Sequence, residues 1–297
     1  MLRKKTPKLL DGTKLAETIR GELKVDIEAL ATRGVTPGLA VVLVGEDPAS
    51  QIYVRNKRKA CAELGIASFA HDLPRECTEA RLLKLIANLN ADPRVHGILV
   101  QSPLPKHIDD QKVLNAIDPA KDVDGFHPVS KGKLLNGEDC FVACTPAGCQ
   151  EILIRYGYPP AGKHVVIVGR SNIVGKPLAA LLIQKAAGAN ATVTVCHSNT
   201  RKLATITRQA DILIAAIGVP EFIRANMVKE GVVVIDVGMN RIPDDTRKSG
   251  YRLAGDVDFK AVSKKARAIT PVPGGVGPMT ITMLLKNTVK AARKTLR

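Results

Sequence analysis

The stretch from residue 163 to 186 constrains the fold of this chain more than any other. KHVVIVG is an aliphatic strand, GRSNIVGKP a glycine-bracketed turn, and LAALLIQKA, residues 178–186, a helix. A strand feeding a helix through such a turn leaves backbone N–H groups at the helix start, where they can hold phosphate oxygens. Gly169 permits the tight turn, and Gly175 permits close approach at the helix start. The motif reads G-x-S-x-x-G, with Ser171 where the usual dinucleotide fingerprint has its middle glycine, which weakens the signature without removing it. The next strand, residues 191–197, runs into SNTRK, where an NAD site would place an acid against the ribose hydroxyl. Ser198, Asn199, Thr200 and Arg201 stand there instead, and Arg170 lies across the first turn. A 2′-phosphate is welcomed where a carboxylate would repel it, so NADP is expected rather than NAD. DILIAAIG (211–218) and GVVVIDVG (231–238) add two strands, and the alternation with helices predicts a doubly wound parallel sheet.

The rest of the chain is long enough for a second domain. At 297 residues with 45% apolar content it can fill two cores, and with 3% aromatic residues and no Trp those cores must be aliphatic, which suits buried parallel strands. Leu15, Ile19, Leu23, Ile27 and Leu30 recur at spacings of three and four, predicting an amphipathic helix over 14–33. GLAVVLVG (38–45) is a buried strand. EDPAS leads into a second helix, with Ser50 its expected N-cap. A helix over 80–89 then precedes the strand HGILVQ (96–101), which breaks at SPLP. Strand, helix, helix, strand is the rhythm of an open α/β layer, whose ligands collect at the carboxyl ends of strands. Gln101 stands at such an end.

The second helix carries a lysine on its apolar side. In QIYVRNKRKACAEL, at about 100° per residue, Tyr53, Ala60, Cys61 and Leu64 fall within roughly 60° of Lys57. Arg55 and Lys59 fall opposite and Arg58 on the flank, as solvated cations should. Lys57 either snorkels its stem to the helix edge or, held from bulk water, serves as a general base and acid near neutral pH. Tyr53, one turn earlier, could stack on a flat ligand. Gln101 either caps its strand or accepts a hydrogen bond from the ammonium, orienting it without neutralising it. In PAKDVDGFH (119–127), Asp122 and Asp124 precede Gly125. They either bond their own turn or present a carboxylate to the paired N–H donors of a guanidine-like heterocycle edge. TPVPGGVGPMT (270–280), with three prolines and three glycines, is expected to be neither helix nor regular strand. It is a linker, or a cleft wall that a flat substrate can approach closely. A final helix follows over 281–296, with Pro278 suited to its first turn.

Charge and cysteine usage narrow the setting. Lys and Arg exceed Asp and Glu by 44 to 28, a formal +16, which attracts anionic ligands. The charge is spread, without an RNA-binding aromatic pattern or a long basic block, so a basic solvated surface is favoured over nucleic-acid binding. Cys61, Cys77, Cys140, Cys144, Cys149 and Cys196 form no C-x-x-C pair and read as thiols of a reducing compartment. The 140–149 cluster lacks zinc spacing, so no metal site is expected. No signal-length apolar run opens the chain, and nothing later approaches ~18 uninterrupted apolar residues. A soluble, cytoplasmic protein without membrane partners is expected.

Taken together, YVRNKRK, GILVQSPLP, KDVDGFH, CTPAGC, VVIVGRSNIVGKP, DVGMN and TPVPGGVGPMT resemble, in order and over nearly the whole chain, the bifunctional methylenetetrahydrofolate dehydrogenase/methenyltetrahydrofolate cyclohydrolase family in its bacterial form. The resemblance implies NADP-linked oxidation of 5,10-methylenetetrahydrofolate to the 5,10-methenyl cation and its hydrolysis to 10-formyltetrahydrofolate. It implies Lys57 as the catalytic lysine, Tyr53 stacking on the folate, Gln101 partnering the lysine and Asp124 holding the pterin edge. Val100 and Ser102 would flank the folate, and Pro273, Gly274, Gly275, Val276 and Gly277 would border it. Gly169, Arg170, Ser171, Ser198 and Met239 would contact NADP. It further implies two three-layer α/β domains facing a cleft, the second Rossmann-like, and a homodimer. The folate domain would span 1–149 with the returning helix 279–297, and the NADP domain 150–278. Ser102 stands where leucine is usual, Ser130 where asparagine is common, and Met239 where an isoleucine walls the nicotinamide. Two alternatives remain open on sequence grounds. A shikimate-type dehydrogenase would share the second domain but has no use for Tyr53, Lys57 and Gln101. A basic nucleic-acid-binding protein is the non-enzyme case.

Overall fold

The computed structural model describes residues 6–247 and 250–296. From the N-terminus run β1 (Lys8–Leu9), α1 (Gly12–Ala31), β2 (Gly38–Val44), α2 (Pro48–Leu64), β3 (Ala67–Leu73), α3 (Glu79–Ala91), β4 (Gly97–Val100), α4 (Asp110–Ala116) and α5 (Pro128–Asn136). There follow α6 (Cys144–Arg155), β5 (His164–Val168), α7 (Gly175–Leu182), β6 (Thr192–Cys196), α8 (Leu203–Thr207), β7 (Ile212–Ala215) and β8 (Val233–Asp236). The chain closes with β9 (Asn240–Pro243), β10 (Tyr251–Ala254), α9 (Phe259–Val262), β11 (Ala268–Ile269) and α10 (Val276–Lys294). They form two compact units, one of Thr18–Cys144 with the chain from Ile281 on, the other of the chain up to Glu17 with Thr145–Thr280.

The first unit is built on a parallel three-stranded sheet in the order β3-β2-β4. All seven residues of β2 are buried, as an unbroken apolar run requires of a central parallel strand. Leu82, Ile86 and Leu89 of α3 pack on Ala40, Val42, Val44 and Ile98. The sequence pattern misses β3. Its residues ASFAHDL alternate between half-buried and exposed and carry no apolar run, so two helices appear adjacent where a strand in fact separates them. The N-cap of α2 is also corrected. Asp47, not Ser50, caps it, its Oδ2 accepting from the Ser50 N–H at 2.8 Å with Pro48 filling the first turn. Arg58 is not a merely solvated cation. Its guanidinium meets the Asp72 carboxylate in two bonds of 2.6 and 3.1 Å, tying α2 to β3 and holding the Asp72 carboxyl below its ordinary range.

The second unit is a six-stranded parallel sheet in the order β1-β11-β8-β7-β5-β6, with an antiparallel β9–β10 pair. The chain leaves β5 for β6 on one side and then returns to β7 on the other, so the strand order reverses at β5. Ligands of doubly wound sheets gather at this point, beyond the carboxyl end of β5. The expected domain boundary is corrected at the N-terminus. Lys8 and Leu9 pair with Ala268 and Ile269, Tyr156 Oη donates to the Asp11 carbonyl at 2.9 Å, and the Thr13 N–H donates to Gly274 at 3.0 Å. A two-residue strand beside a basic tail leaves no periodicity from which to assign it. The last helix begins at Val276, so the final five residues of TPVPGGVGPMT are helical, contrary to expectation. Pro278 sits in the first turn, where its missing N–H costs nothing. Among the described residues no helix is long and apolar enough to cross a membrane.

Candidate active site

In the first unit, the carboxyl end of β4 delivers Gln101 to Lys57. The Gln101 N–H donates to Val42 at 2.9 Å, continuing the ladder by one residue and fixing where its side chain departs. Lys57 Nζ then donates to Gln101 Oε1 at 3.0 Å, while Gln101 Nε2 donates to the Ser102 carbonyl at 2.7 Å. The second bond leaves the amide oxygen facing the amine. Lys57 is half-buried on α2, above Ala60 and Cys61 in the core, and Tyr53 is 42% exposed one turn earlier. Val100 packs against the Ala40, Val42 and Ile98 cluster, on the opposite face from Gln101. Ser102 holds the glutamine through its backbone carbonyl, so its substitution for leucine leaves that grip intact.

The two aspartates of KDVDG divide the roles left open by the sequence. Asp122 is the turn-former. Its carboxylate accepts from the Phe126 N–H at 3.1 Å, the His127 N–H at 2.9 Å and Ser130 Oγ at 2.7 Å. Ser130, where an asparagine is common, therefore supplies a donor to the turn. Asp124 does not bond this turn. Burial pushes its carboxyl up, against the opposing pull of the Lys57 charge and of the Cys144 thiol, whose Sγ lies 3.8 Å from Oδ1. Gly125 adopts a φ of +71°, and a Cβ there would come within 2.5 Å of the Ala143 nitrogen, so the turn lies flat on residues 141–143. Asn287 of α10 locks it there, Nδ2 donating to Val123 at 2.8 Å and Val142 at 3.0 Å. Cys144 and Asn287 were missed from sequence. Cys144 lies in CTPAGC but reads there only as a thiol, and Asn287 acts across more than 160 residues.

In the second unit the dinucleotide turn is closed on itself. Gly169 has φ +134°, and a Cβ on it would lie 2.1 Å from the Ala216 carbonyl oxygen. A Cβ on Gly175 would lie 2.1 Å from the Gly169 carbonyl oxygen, so the close approach this glycine permits is that of the turn's own backbone. Ser171 Oγ accepts from the Val174 N–H at 3.1 Å, filling the missing glycine's place with a turn-closing acceptor. No side-chain bond caps α7. Arg170 and Ser198 are exposed on the turns after β5 and β6, and Thr200 Oγ1 accepts from the His197 N–H at 2.9 Å, shaping the second turn. These features fit a dinucleotide phosphate at the β5 turn and a 2′-phosphate near Arg170 and Ser198. Met239, 41% exposed, reaches the 270–280 segment: a Cβ on Gly277 would meet its Cε at 3.1 Å.

Comparison with known proteins matches both units. Residues 10–124 match the tetrahydrofolate dehydrogenase/cyclohydrolase catalytic domain, and residues 143–296 its NAD(P)-binding domain. The bifunctional protein FolD of Chloroherpeton thalassium is 61% identical over 286 residues, covering 95% of this chain and 97% of that one. The crystal structure of the FolD methylenetetrahydrofolate dehydrogenase/cyclohydrolase from Campylobacter jejuni superposes with a TM-score of 0.92 at 51% identity, covering 97% of this chain and 99% of its own. The Trypanosoma brucei enzyme, complexed with NADP cofactor and inhibitor, gives a TM-score of 0.92 at 41% identity, covering 98% and 99%. These matches over nearly the whole length set aside the shikimate-type and nucleic-acid-binding alternatives, and the chain belongs to the bifunctional tetrahydrofolate dehydrogenase/cyclohydrolase family.

Proposed function

We propose that Lys57, oriented by Gln101, moves the proton in the cyclohydrolase half of a two-step reaction. As a member of its family the chain oxidises 5,10-methylenetetrahydrofolate with NADP and hydrolyses the resulting 5,10-methenyl cation to 10-formyltetrahydrofolate, within one-carbon metabolism. When bound, NADP supplies the hydride acceptor. Protein side chains need no acid or base at the reacting carbon in that first step. They hold the one-carbon bridge in line while the folate nitrogens push out the hydride. In the second step water adds to the methenyl carbon, a proton leaves the adduct, and the C–N bond to N5 breaks to give the 10-formyl product. The Lys57 amine takes and returns that proton. The observation that carries this reading is the 3.0 Å contact to a glutamine oxygen whose amide nitrogen is already committed to Ser102. A neutral acceptor orients the amine without locking it as a cation, as a carboxylate would.

We assign the remaining roles from membership of the family. Asp124 accepts the paired N–H groups of the pterin edge, Tyr53 stacks on the ring, and the backbone of Val100 and Ser102 flanks it. Pro273, Gly274, Gly275, Val276 and Gly277 border the substrate. Gly169, Arg170, Ser171 and Ser198 bind the phosphates of NADP, and Met239 walls the nicotinamide. We further propose a homodimer working in the cytoplasm, the compartment suited to six free cysteines and to soluble folate and NADP. A spectrophotometric assay with 5,10-methylenetetrahydrofolate tests the reading directly. Absorbance of the methenyl product should grow with NADP and far more slowly with NAD. Equal rates with both would overturn the assignment of Arg170 and Ser198, and no turnover with either would overturn the assignment of the reaction.

A further inference from the structure

Beyond the residues assigned above, the carboxyl end of the second sheet holds two buried carboxylates. Asp236 ends β8 and Asp256 follows β10, and both are almost completely shielded from solvent. Asp236 Oδ1 accepts from the Gly238 N–H at 3.0 Å and the Asp256 N–H at 2.9 Å, and Oδ2 accepts from the Val257 N–H at 3.0 Å. Its own N–H donates to Thr270 Oγ1 at 2.8 Å. Asp256 extends the chain of contacts. Its Oδ2 accepts from the Ile217 N–H at 2.5 Å and the Gly218 N–H at 2.9 Å, and its Oδ1 accepts from Asn240 Nδ2 at 2.9 Å.

The backbone is shaped around these carboxylates. A Cβ on Gly255 would lie 1.8 Å from Asp236 Oδ2, and one on Gly238 2.2 Å from Asp256 Oδ1. Asp256 therefore grips Asn240 directly and lies against Gly238, the two residues that bracket Met239. The Ile217–Gly218 pair it also holds follows Ala216, the residue on which Gly169 rests. One side chain fixes the turn under the pyrophosphate end of the site and the wall at its nicotinamide end. Burying a charge this deeply is costly, and six donors converging on two carboxylates offset that cost only while these loops keep their present spacing.

We propose that Asp256, seated by Asp236, is a positioning residue for hydride transfer: it sets the distance between the Gly169 turn and the Met239 wall, and so the alignment of the nicotinamide. This inference rests on the NADP-linked reading of the second unit. A misplacement of about 1 Å can cost 10²-fold in rate with little change in affinity.

The test compares Asp256→Ala, Asp256→Asn and Asn240→Ala with the wild type in both half-reactions. Hydrolysis of 5,10-methenyltetrahydrofolate is measured without NADP, and oxidation of 5,10-methylenetetrahydrofolate with it. For Asp256→Ala we expect dehydrogenase kcat to fall about ten- to a hundredfold, the KM for NADP to change less than about threefold, and hydrolysis to stay within about twofold of wild type. Asp256→Asn should recover most of the loss, since its amide oxygen can keep both backbone donors of the Ile217–Gly218 turn. Asn240→Ala should show the same kcat-weighted loss in smaller measure, and it decides the matter if Asp256→Ala does not fold. Parallel loss of both activities, a change confined to KM, or unchanged oxidation in all three variants would overturn the proposal. A wild type that fails to oxidise the substrate would instead overturn the underlying reading.

Discussion

Gln101 can offer Lys57 only its oxygen, because its amide nitrogen is spent on the Ser102 carbonyl at 2.7 Å while Oε1 receives the ammonium at 3.0 Å. The pair is polar without being an ion pair. Gln101→Glu keeps the shape but replaces the neutral partner with a carboxylate, turning the contact into an ion pair. We expect cyclohydrolase activity at pH 7 to fall roughly tenfold or more. Gln101→Met, which removes the acceptor altogether, should also lose rate. Wild-type hydrolysis by Gln101→Glu would show that the amide's neutrality is irrelevant.

Asn287 should matter to folate binding although it lies more than 160 residues along the chain from Asp124. Its two bonds pin Val123 and Val142, and thereby the backbone that carries Asp124. Asn287→Ala leaves the Val142 carbonyl without this donor and the Val123 carbonyl with only the Cys144 thiol, at a cost of about 1–3 kcal/mol. Urea denaturation should show that loss, and the KM for 5,10-methylenetetrahydrofolate should rise while the KM for NADP stays put. Equal rises in both would contradict a local role.

Gly169→Ala meets two obstacles at once, a φ of +134° and a carbonyl oxygen 2.1 Å from the new Cβ. The strain is about 1–3 kcal/mol, and it falls on the turn that shapes the phosphate site. NADP affinity, followed by isothermal titration, should weaken by about tenfold or more, with hydrolysis of the methenyl compound unchanged. Undiminished NADP affinity would mean that the turn tolerates a side chain and that its glycine is not needed.

Acid stability carries a separate signature at Asp139. Hydrogen bonds from Lys290 and Lys294 hold its carboxyl down at about 2. A folded value below the unfolded one stabilises the protein above the ordinary carboxylate range, and that contribution is lost as pH falls from about 4 toward 2. The groups are largely exposed, so the contribution is about 0.2–1 kcal/mol. Asp139→Asn should therefore lower the unfolding free energy at pH 7 by that amount, and the difference should shrink to a small fraction as pH falls to about 2. A deficit that persists undiminished at pH 2 would point to packing rather than charge.

The legible parts of this protein are those whose cause is local. The runs 165–168 in β5, 212–215 in β7 and 233–235 in β8 are apolar without interruption because parallel strands are covered on both faces, and the glycines beside them mark turns that only glycine can make. β3 is hidden because Ser68, Ala70 and Asp72 are exposed on an edge strand and its other residues are only half-buried, and β1 because two residues show no period. Lys57 could be singled out from its helix wheel, and Gln101 from its place at a strand end. The separation of Asp122 from Asp124 could not be read, since it depends on Ser130 and the 126–127 backbone taking one carboxylate and leaving the other. Asn287 and the Asp236–Asp256 pair act between segments distant in sequence, where no spacing rule reaches.

The central claim concerns one amine. Hydrolysis of 5,10-methenyltetrahydrofolate by Lys57→Met, followed by the loss of methenyl absorbance in the same preparation that is titrated with NADP, addresses it most directly. We predict that hydrolysis falls by about 10²–10⁴-fold while NADP binding and the unfolding transition match the wild type. Hydrolysis at the wild-type rate in that folded, NADP-binding variant would contradict the assignment of Lys57.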